Sequence, residues 1–355
     1  MISITLLDFL LYVLIFFSSV IILMSLILIS LRTKGIIQDK KFKDFSETYE
    51  EHLFEYIESN EHPSNFLEQI KERKIPLFLR LVRDYAVHLR GRDFERLSGL
   101  INSPKIFNFL RKDLRSNNKK RVLRAIYFFG LSRNQASLIH VKEALKSQND
   151  VIKINAALSL AKMNAGNEIV EIVKSLLTLK HATNDLIISI LVEFDPAICS
   201  ILESRLDIAK NDRVRAIYVS VFTKFRFIPA AKKVLYYLQY GTDPELTLSC
   251  LKYFMVIEYE PAGNALKFVL LKSSPTLLAY ALKAAARIGT KELEEIIYEK
   301  LFVESWQTKL DSAAALYEIS ITGKDKLNKL AYDLDHPAES AIARMVLSEK
   351  EISGK

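Results

Sequence analysis

The sequence predicts an all-α protein, a right-handed α-solenoid of helix pairs preceded by one N-terminal transmembrane helix. Three observations predict it. Ten glycines and nine prolines in 355 residues are too few for a turn-rich β protein. Residues 9–31 carry no charged side chain. Beyond residue 117, helix-start signals and small side chains return at intervals near 31 residues, the sign of stacked helix pairs. Half of the residues are apolar and 26% are charged, so the chain buries a core instead of remaining disordered.

The first element is the uncharged run. Its 23 residues make a helix of about 35 Å, enough to cross a hydrocarbon core of about 30 Å. A cleaved signal peptide is disfavoured because Asp8 is the only charge ahead of the run, the apolar core is too long, and Ile29-Ser30-Leu31-Arg32 lacks a small-residue cleavage site. Arg32, Lys34, Lys40, Lys41 and Lys43 follow the run, while no Lys or Arg precedes it. Basic flanks stay on the cytoplasmic side, beside anionic lipid head groups. Residues 1–31 are therefore expected to be an inner-membrane signal anchor with its N-terminus outside. Residues 32–355 are then cytoplasmic.

Residues 32–116 read as a basic juxtamembrane segment leading into a helical connector. Phe42, Phe45, Tyr49, Leu53, Phe54 and Ile57 recur at helical spacing. Ser59-Asn60 and His62-Pro63 mark a stop and a restart, and Ile75-Pro76 and Ser103-Pro104 mark two more starts.

Residues 117–350 form the repeat region. Asp243-Pro244, Ser274-Pro275 and His336-Pro337 stand 31 and 62 residues apart, each with proline at a position where its missing N–H costs nothing. Asp150 and Asp212 mark comparable starts. Cys250 shares a register with Ala281 and Ala343, and Leu246 shares one with Leu277; small side chains at a fixed point let helices approach closely. Interleaved helices open at Asp195-Pro196, Ile228-Pro229 and Glu260-Pro261. Seven pairs result, at 118–148, 150–180, 183–209, 212–240, 243–272, 274–302 and 305–334. A final helix at 336–350 is polar at its end, as a terminal cap requires.

The stretch from Asp150 through Val151, Lys153, Ala156, Ala157 and Leu160 resembles the second-helix signature of HEAT-like repeats of the phycobilin-lyase type. Val122, Ala125 and Gly130, and later Ala284-Ala285-Ala286-Arg287-Ile288-Gly289, follow the same pattern. The resemblance covers roughly residues 110–350, with Lys153 in place of the usual arginine and a degenerate unit at 183–209. The order of anchor, connector and solenoid is similar to that of bacterial membrane-anchored HEAT-repeat proteins. Those proteins have no assigned activity, but stacked repeats expose an extended curved surface, which suits a binding scaffold. The resemblance also brings two alternatives, a DNA-glycosylase-like nucleic-acid binder and a lyase-like protein.

No residue set identifies a reaction. Neither glycine-rich phosphate loop nor a G-x-S-x-G elbow is present, and the six histidines contain no H-x-x-x-H pair. Cys199 and Cys250 lie in apolar helical patterns and read as small buried hydrophobes. Glu258 and Glu260 read as solvated charges at a helix end, not as an acid/base pair. Tyr236, Tyr237, Tyr240, Tyr253, Phe254 and Tyr259 read as inter-repeat core, not as a stacking platform for bases. The chain is accordingly expected to be no enzyme and to hold no cofactor or metal.

Charge is more informative. Residues 117–240 hold 19 basic and 10 acidic side chains, whereas residues 241–355 hold 14 and 17. The densest basic cluster is Arg111, Lys112, Arg115, Lys119, Lys120, Arg121 and Arg124, the candidate partner-binding patch. Lys224, Arg226, Lys232 and Lys233 add to the basic half. Nucleic acid is disfavoured because the C-terminal half is acidic and holds the single tryptophan, Trp306. The expected function is a non-catalytic membrane scaffold that docks a protein partner, with another membrane protein among the candidates.

Overall fold

The computed structural model describes residues 6–59, 62–133, 135–272, 274–303 and 305–353. Residues 1–5 of the expected anchor and Asn60 of the expected helix stop lie outside them. Twenty α-helices, and no strand, occur among the described residues. Packing divides the chain into two units, one ending at Ser132 and one beginning at Arg133.

Unit 1 is organised by one helix. α1 (Leu6–Glu58) runs unbroken for 53 residues, so the apolar segment and the first part of the connector are a single rod of about 80 Å. Gly35 interrupts neither its pattern nor its hydrogen bonding. The side chains described between Leu14 and Leu31 pack against almost nothing, whereas Phe45, Leu53, Tyr56 and Ile57 are buried. They pack against α2 (Pro63–Glu68), α3 (Ile75–Ala86) and α4 (Gly91–Asn102). α5 (Pro104–Leu114) and α6 (Lys119–Ser132) complete the unit. Proline opens α2 and α5, and Ser103 caps α5 through a bond from the Ile106 N–H at 3.5 Å. Lys105 donates to the carbonyls of Leu67 and Ile70, each at 2.7 Å, which satisfies the exposed end of α2. The packed part of α1 begins where Asp39 meets Arg80 at 3.0 Å and the Arg80 guanidinium lies over Phe42.

Unit 2 is a stack of helix pairs. α7 (Gln135–Ala144), α8 (Asp150–Lys162), α9 (Ile169–Leu177), α10 (Asn184–Leu191), α11 (Ile198–Leu206) and α12 (Asp212–Phe225) come first. α13 (Ala231–Tyr240), α14 (Pro244–Ile257), α15 (Gly263–Lys272) and α16 (Pro275–Ile288) follow. α17 (Lys291–Glu299), α18 (Trp306–Ile319), α19 (Ile321–Leu330) and α20 (Pro337–Ser353) close the chain. The even-numbered helices pack on one another in sequence order, and the odd-numbered ones lie beside them. α14, α16, α18 and α20 begin 31 residues apart, at 244, 275, 306 and 337. Ser305 supplies the start that carries no proline, accepting from the Thr308 N–H. At Asp150 and Asp212 the caps are Asn149 and Asn211, one residue earlier, which leaves each aspartate in the first turn, at the positive end of its helix dipole. Pro229 and Pro261 sit in short 3-10 turns that lead into α13 and α15.

Three features repeat with the period. Cys250, Ala281, Ser312 and Ala343 are all fully buried at one register of the even-numbered row, where their small side chains allow close approach. Polar ties join residues one repeat apart, among them Ser175 to the Leu145 carbonyl at 2.8 Å and Lys350 to Glu318 at 2.6 Å. The chain also turns through the left-handed region at Arg133, Asn164, Arg226, Glu258 and Gly289. At the last of these, φ is +71° and an added Cβ would stand 3.3 Å from the Ile319 carbonyl. Gly289→Ala is therefore expected to lower stability by about 1–2 kcal/mol, read as a fall in the urea midpoint at constant slope.

Candidate interaction surfaces

The basic patch spans the junction of α5 and α6. Arg111 and Lys112 lie in the last turn of α5, Arg115 is its C-cap, and Lys119, Lys120, Arg121 and Arg124 lie on α6. Six of the seven are exposed. Arg124 is not among them. Its guanidinium forms a forked pair with the buried carboxylate of Asp113, the Nε bond measuring 2.8 Å. It also lies over Phe109, so Arg124 ties α6 to α5 and leaves the displayed face. Lys112 approaches Glu72 at 3.6 Å, a loose exposed pair. The cations of α5 suit the negative end of their helix. Those of α6 do not: Lys119, Lys120 and Arg121 crowd a first turn without an acid, where the helix dipole opposes each by about 0.3–1 kcal/mol. A purely structural role gives no reason for that placement.

Arg32, Lys34, Lys40, Lys41 and Lys43 are all exposed along α1, and only Lys43 has an acidic neighbour, Glu47 at 3.8 Å. Lys224, Arg226, Lys232 and Lys233 lie in unit 2. Lys233 is bound to Asp207 at 3.2 Å and to Glu203 at 3.7 Å, which leaves Lys232 as the open cation of α13.

The aromatic cluster divides. Tyr237, Tyr253 and Phe254 are core, as expected, and the Tyr253 hydroxyl donates to the Phe227 carbonyl at 2.8 Å. Tyr236 and Tyr240 are not core. They are 56% and 69% exposed, with ring centres 5.0 Å apart. They line a cleft of about 790 Å³ with Asp212, Arg215, Lys232 and Lys233. Tyr240 also borders a second hollow of about 640 Å³ that reaches Phe268 and Leu277. Spacing alone does not tell which helix face a neighbouring repeat covers.

Both cysteines are fully buried, and burial pushes the Cys199 thiol up to about 11 and the Cys250 thiol higher still. Neither is a thiolate at neutral pH. Glu258 and Glu260 are exposed. Glu258 is the left-handed C-cap of α14 and donates its N–H to the Phe254 carbonyl.

One buried carboxylate escaped the sequence reading. Glu294 on α17 accepts from Ser320 at 2.6 Å, Thr322 at 2.7 Å and Lys326 at 2.9 Å. Burial alone would raise its pKa, but these donors outweigh burial and hold it at about 2. Such a depressed carboxylate stabilises fully above its unfolded value and loses that contribution as pH falls through the folded one. The α17–α19 region is thus expected to lose on the order of 3 kcal/mol between about pH 4.5 and 2. Glu294→Gln should flatten that part of the pH–stability curve.

No family model matches the sequence, and no curated protein matches it. Among solved structures, human deoxyhypusine hydroxylase in complex with glycerol aligns with 80% of this chain and 98% of its own, at 12% identity and a TM-score of 0.29. This neighbour is itself an enzyme, and the expectation that the chain is no enzyme is set aside. The expectation rested on missing linear motifs, and catalytic groups distant in sequence can converge on a helical scaffold. A likeness this remote transfers no activity, substrate or site to the present chain.

Proposed function

We propose that the chain is a membrane-anchored docking protein whose stacked helix pairs, a right-handed HEAT-like solenoid, hold a protein partner at the cytoplasmic face of the inner membrane. In this reading α1 crosses the bilayer through residues 9–31 with its N-terminus outside. Arg32, Lys34, Lys40, Lys41 and Lys43 then meet anionic head groups. Residues 32–38 form a helical stalk of about 10 Å. The exposed cations Arg111, Arg115, Lys119, Lys120 and Arg121 present a face to an acidic partner.

The observation that carries the reading is the continuity of α1. Its apolar half leaves large side chains such as Phe16, Ile22 and Leu28 more than half exposed, and its other half enters the core of unit 1. A bare apolar rod of this length is unfavourable in water and at home in lipid. A stiff joint of this kind would hold unit 1 near the membrane. There, confinement raises the effective concentration of a membrane-bound partner.

The test is crosslinking in intact membranes with the full-length chain carrying Arg111→Glu, Arg115→Glu and Lys120→Glu. Arg124 is spared because it holds Asp113. The reading predicts loss of the captured partner with membrane content and helicity unchanged. Unchanged capture removes the basic face from the proposal, and capture of lipid alone removes docking itself.

A further inference from the structure

Helices α9, α11 and α12 leave a hollow of about 350 Å³ between them, at the small end of sites that take small molecules. Val170, Val173, Lys174 and Leu177 fall at helical spacing on one face of α9 and form one wall. Val214 and Tyr218, about one turn apart on α12, form another. Ile208 borders it from the loop between α11 and α12 and is 64% exposed.

This hollow is more than a gap in packing, on two independent grounds. The first is a phenol. Tyr218 is only 4% exposed, yet its hydroxyl has no hydrogen-bond partner among the described residues. Buried tyrosines ordinarily find one; Tyr253 uses the Phe227 carbonyl, and Tyr237 uses Asp207. Burial raises the Tyr218 pKa against the pull of the nearby Arg205 cation, so the hydroxyl keeps its proton and is free to donate. The second ground is charge. Lys174, Arg205 and Lys210 line the hollow, and no acidic side chain does. All three are exposed, and none has an ion pair or hydrogen bond among the described residues. The acids carried by the same elements are engaged elsewhere: Glu171 with Lys142, Glu203 and Asp207 with Lys233, and Asp212 with Arg215. The cleft beside Tyr236 lacks this bias, because Asp207 and Asp212 line it together with its cations. One unpaired surface lysine is ordinary. Three cations around one apolar opening repel one another and draw an anion.

Water alone would meet the hydroxyl, but apolar walls give water few partners, and the cations call for negative charge. We propose that the hollow binds a small amphiphilic carboxylate. Its short apolar body lies between Val173 and Val214, and its carboxylate lies among Lys174, Arg205 and Lys210, with the Tyr218 hydroxyl as a further donor. The volume leaves no room for the two chains of a phospholipid, which separates this ligand from the head groups that α1 would meet. The site lies wholly within unit 2, uses no residue of the basic face and does not depend on the docking of a protein partner.

The experiment uses the full-length protein in bilayer discs of zwitterionic lipid and an octanoate analogue with a diazirine in its chain. Photolysis and peptide mapping are expected to place the label on α9 near Val173 and on α12 near Val214. Free octanoate should displace it, whereas octanol or acetate at the same concentration should not. Lys174→Glu combined with Lys210→Glu should reduce labelling by about tenfold or more with helicity unchanged, since both side chains face solvent. Tyr218→Phe should reduce it by about tenfold, the worth of one hydrogen bond to a charged group. Because that hydroxyl has no partner to lose, the same variant should keep the urea midpoint of the unliganded protein. A lowered midpoint would assign the hydroxyl to the fold and overturn the proposal. So would displacement by octanol as readily as by octanoate, which would mark an apolar hollow without selectivity for charge. Displacement by acetate would mark the cations alone and would overturn it equally. Label absent from both helices, or displaced only by vesicles of anionic phospholipid, would do the same.

Discussion

Ile21→Arg together with Met24→Arg is expected to move the protein from the membrane fraction into the soluble fraction. Both side chains are more than half exposed on α1 and touch no part of the packed core, so unit 1 keeps its fold. Two arginines near the middle of a span oppose insertion by about 5–7 kcal/mol, enough to shift the partition by several orders of magnitude. The measurement is fractionation after an alkaline wash, with circular dichroism to confirm helicity. A variant that stays with the membrane would mean that some other surface attaches the chain.

Phe254→Ala is expected to lower the stability of unit 2 by about 3–5 kcal/mol. Phe254 is fully buried on α14, edge-on to Tyr253 at 5.2 Å and stacked on Tyr259 at 6.1 Å. Removing the ring leaves a cavity that the surrounding helices cannot close, because α14 is held on both sides by α12 and α16. A stack of repeats is quasi-one-dimensional, so the loss should be local first. Hydrogen exchange should accelerate in α12, α14 and α16 before it does in α8 or α20. A uniform rise across unit 2 would mean that the repeats unfold as one cooperative body.

Much of this architecture can be read from residues with one strong local meaning. Pro244, Pro275 and Pro337 announce helix starts because proline is welcome only in the first turn, and their spacing exposes the period. The apolar run announces itself by length. Other features depend on contacts that spacing does not specify. Nothing near residue 31 tells whether a helix ends there, since Arg32, Lys34 and Lys40 are good helix formers and one glycine is tolerated; α1 continues because Phe45, Leu53 and Tyr56 find a core. The left-handed turns recur at Arg226 and Glu258, where no glycine signals them. Arg124 looks like one more cation until its pairing with Asp113, across a helix junction, is seen. Tyr236 and Tyr240 look like core because aromatic rings usually are, yet α13 turns that face outwards.

Protease treatment of sealed vesicles of known orientation tests most directly whether one helix holds this stack on the cytoplasmic side of a bilayer. In inside-out vesicles unit 2 should be digested while an N-terminal fragment containing residues 9–31 survives, and in right-side-out vesicles unit 2 should resist until detergent is added. Resistance of unit 2 in inside-out vesicles, or its digestion in intact right-side-out ones, would contradict the account.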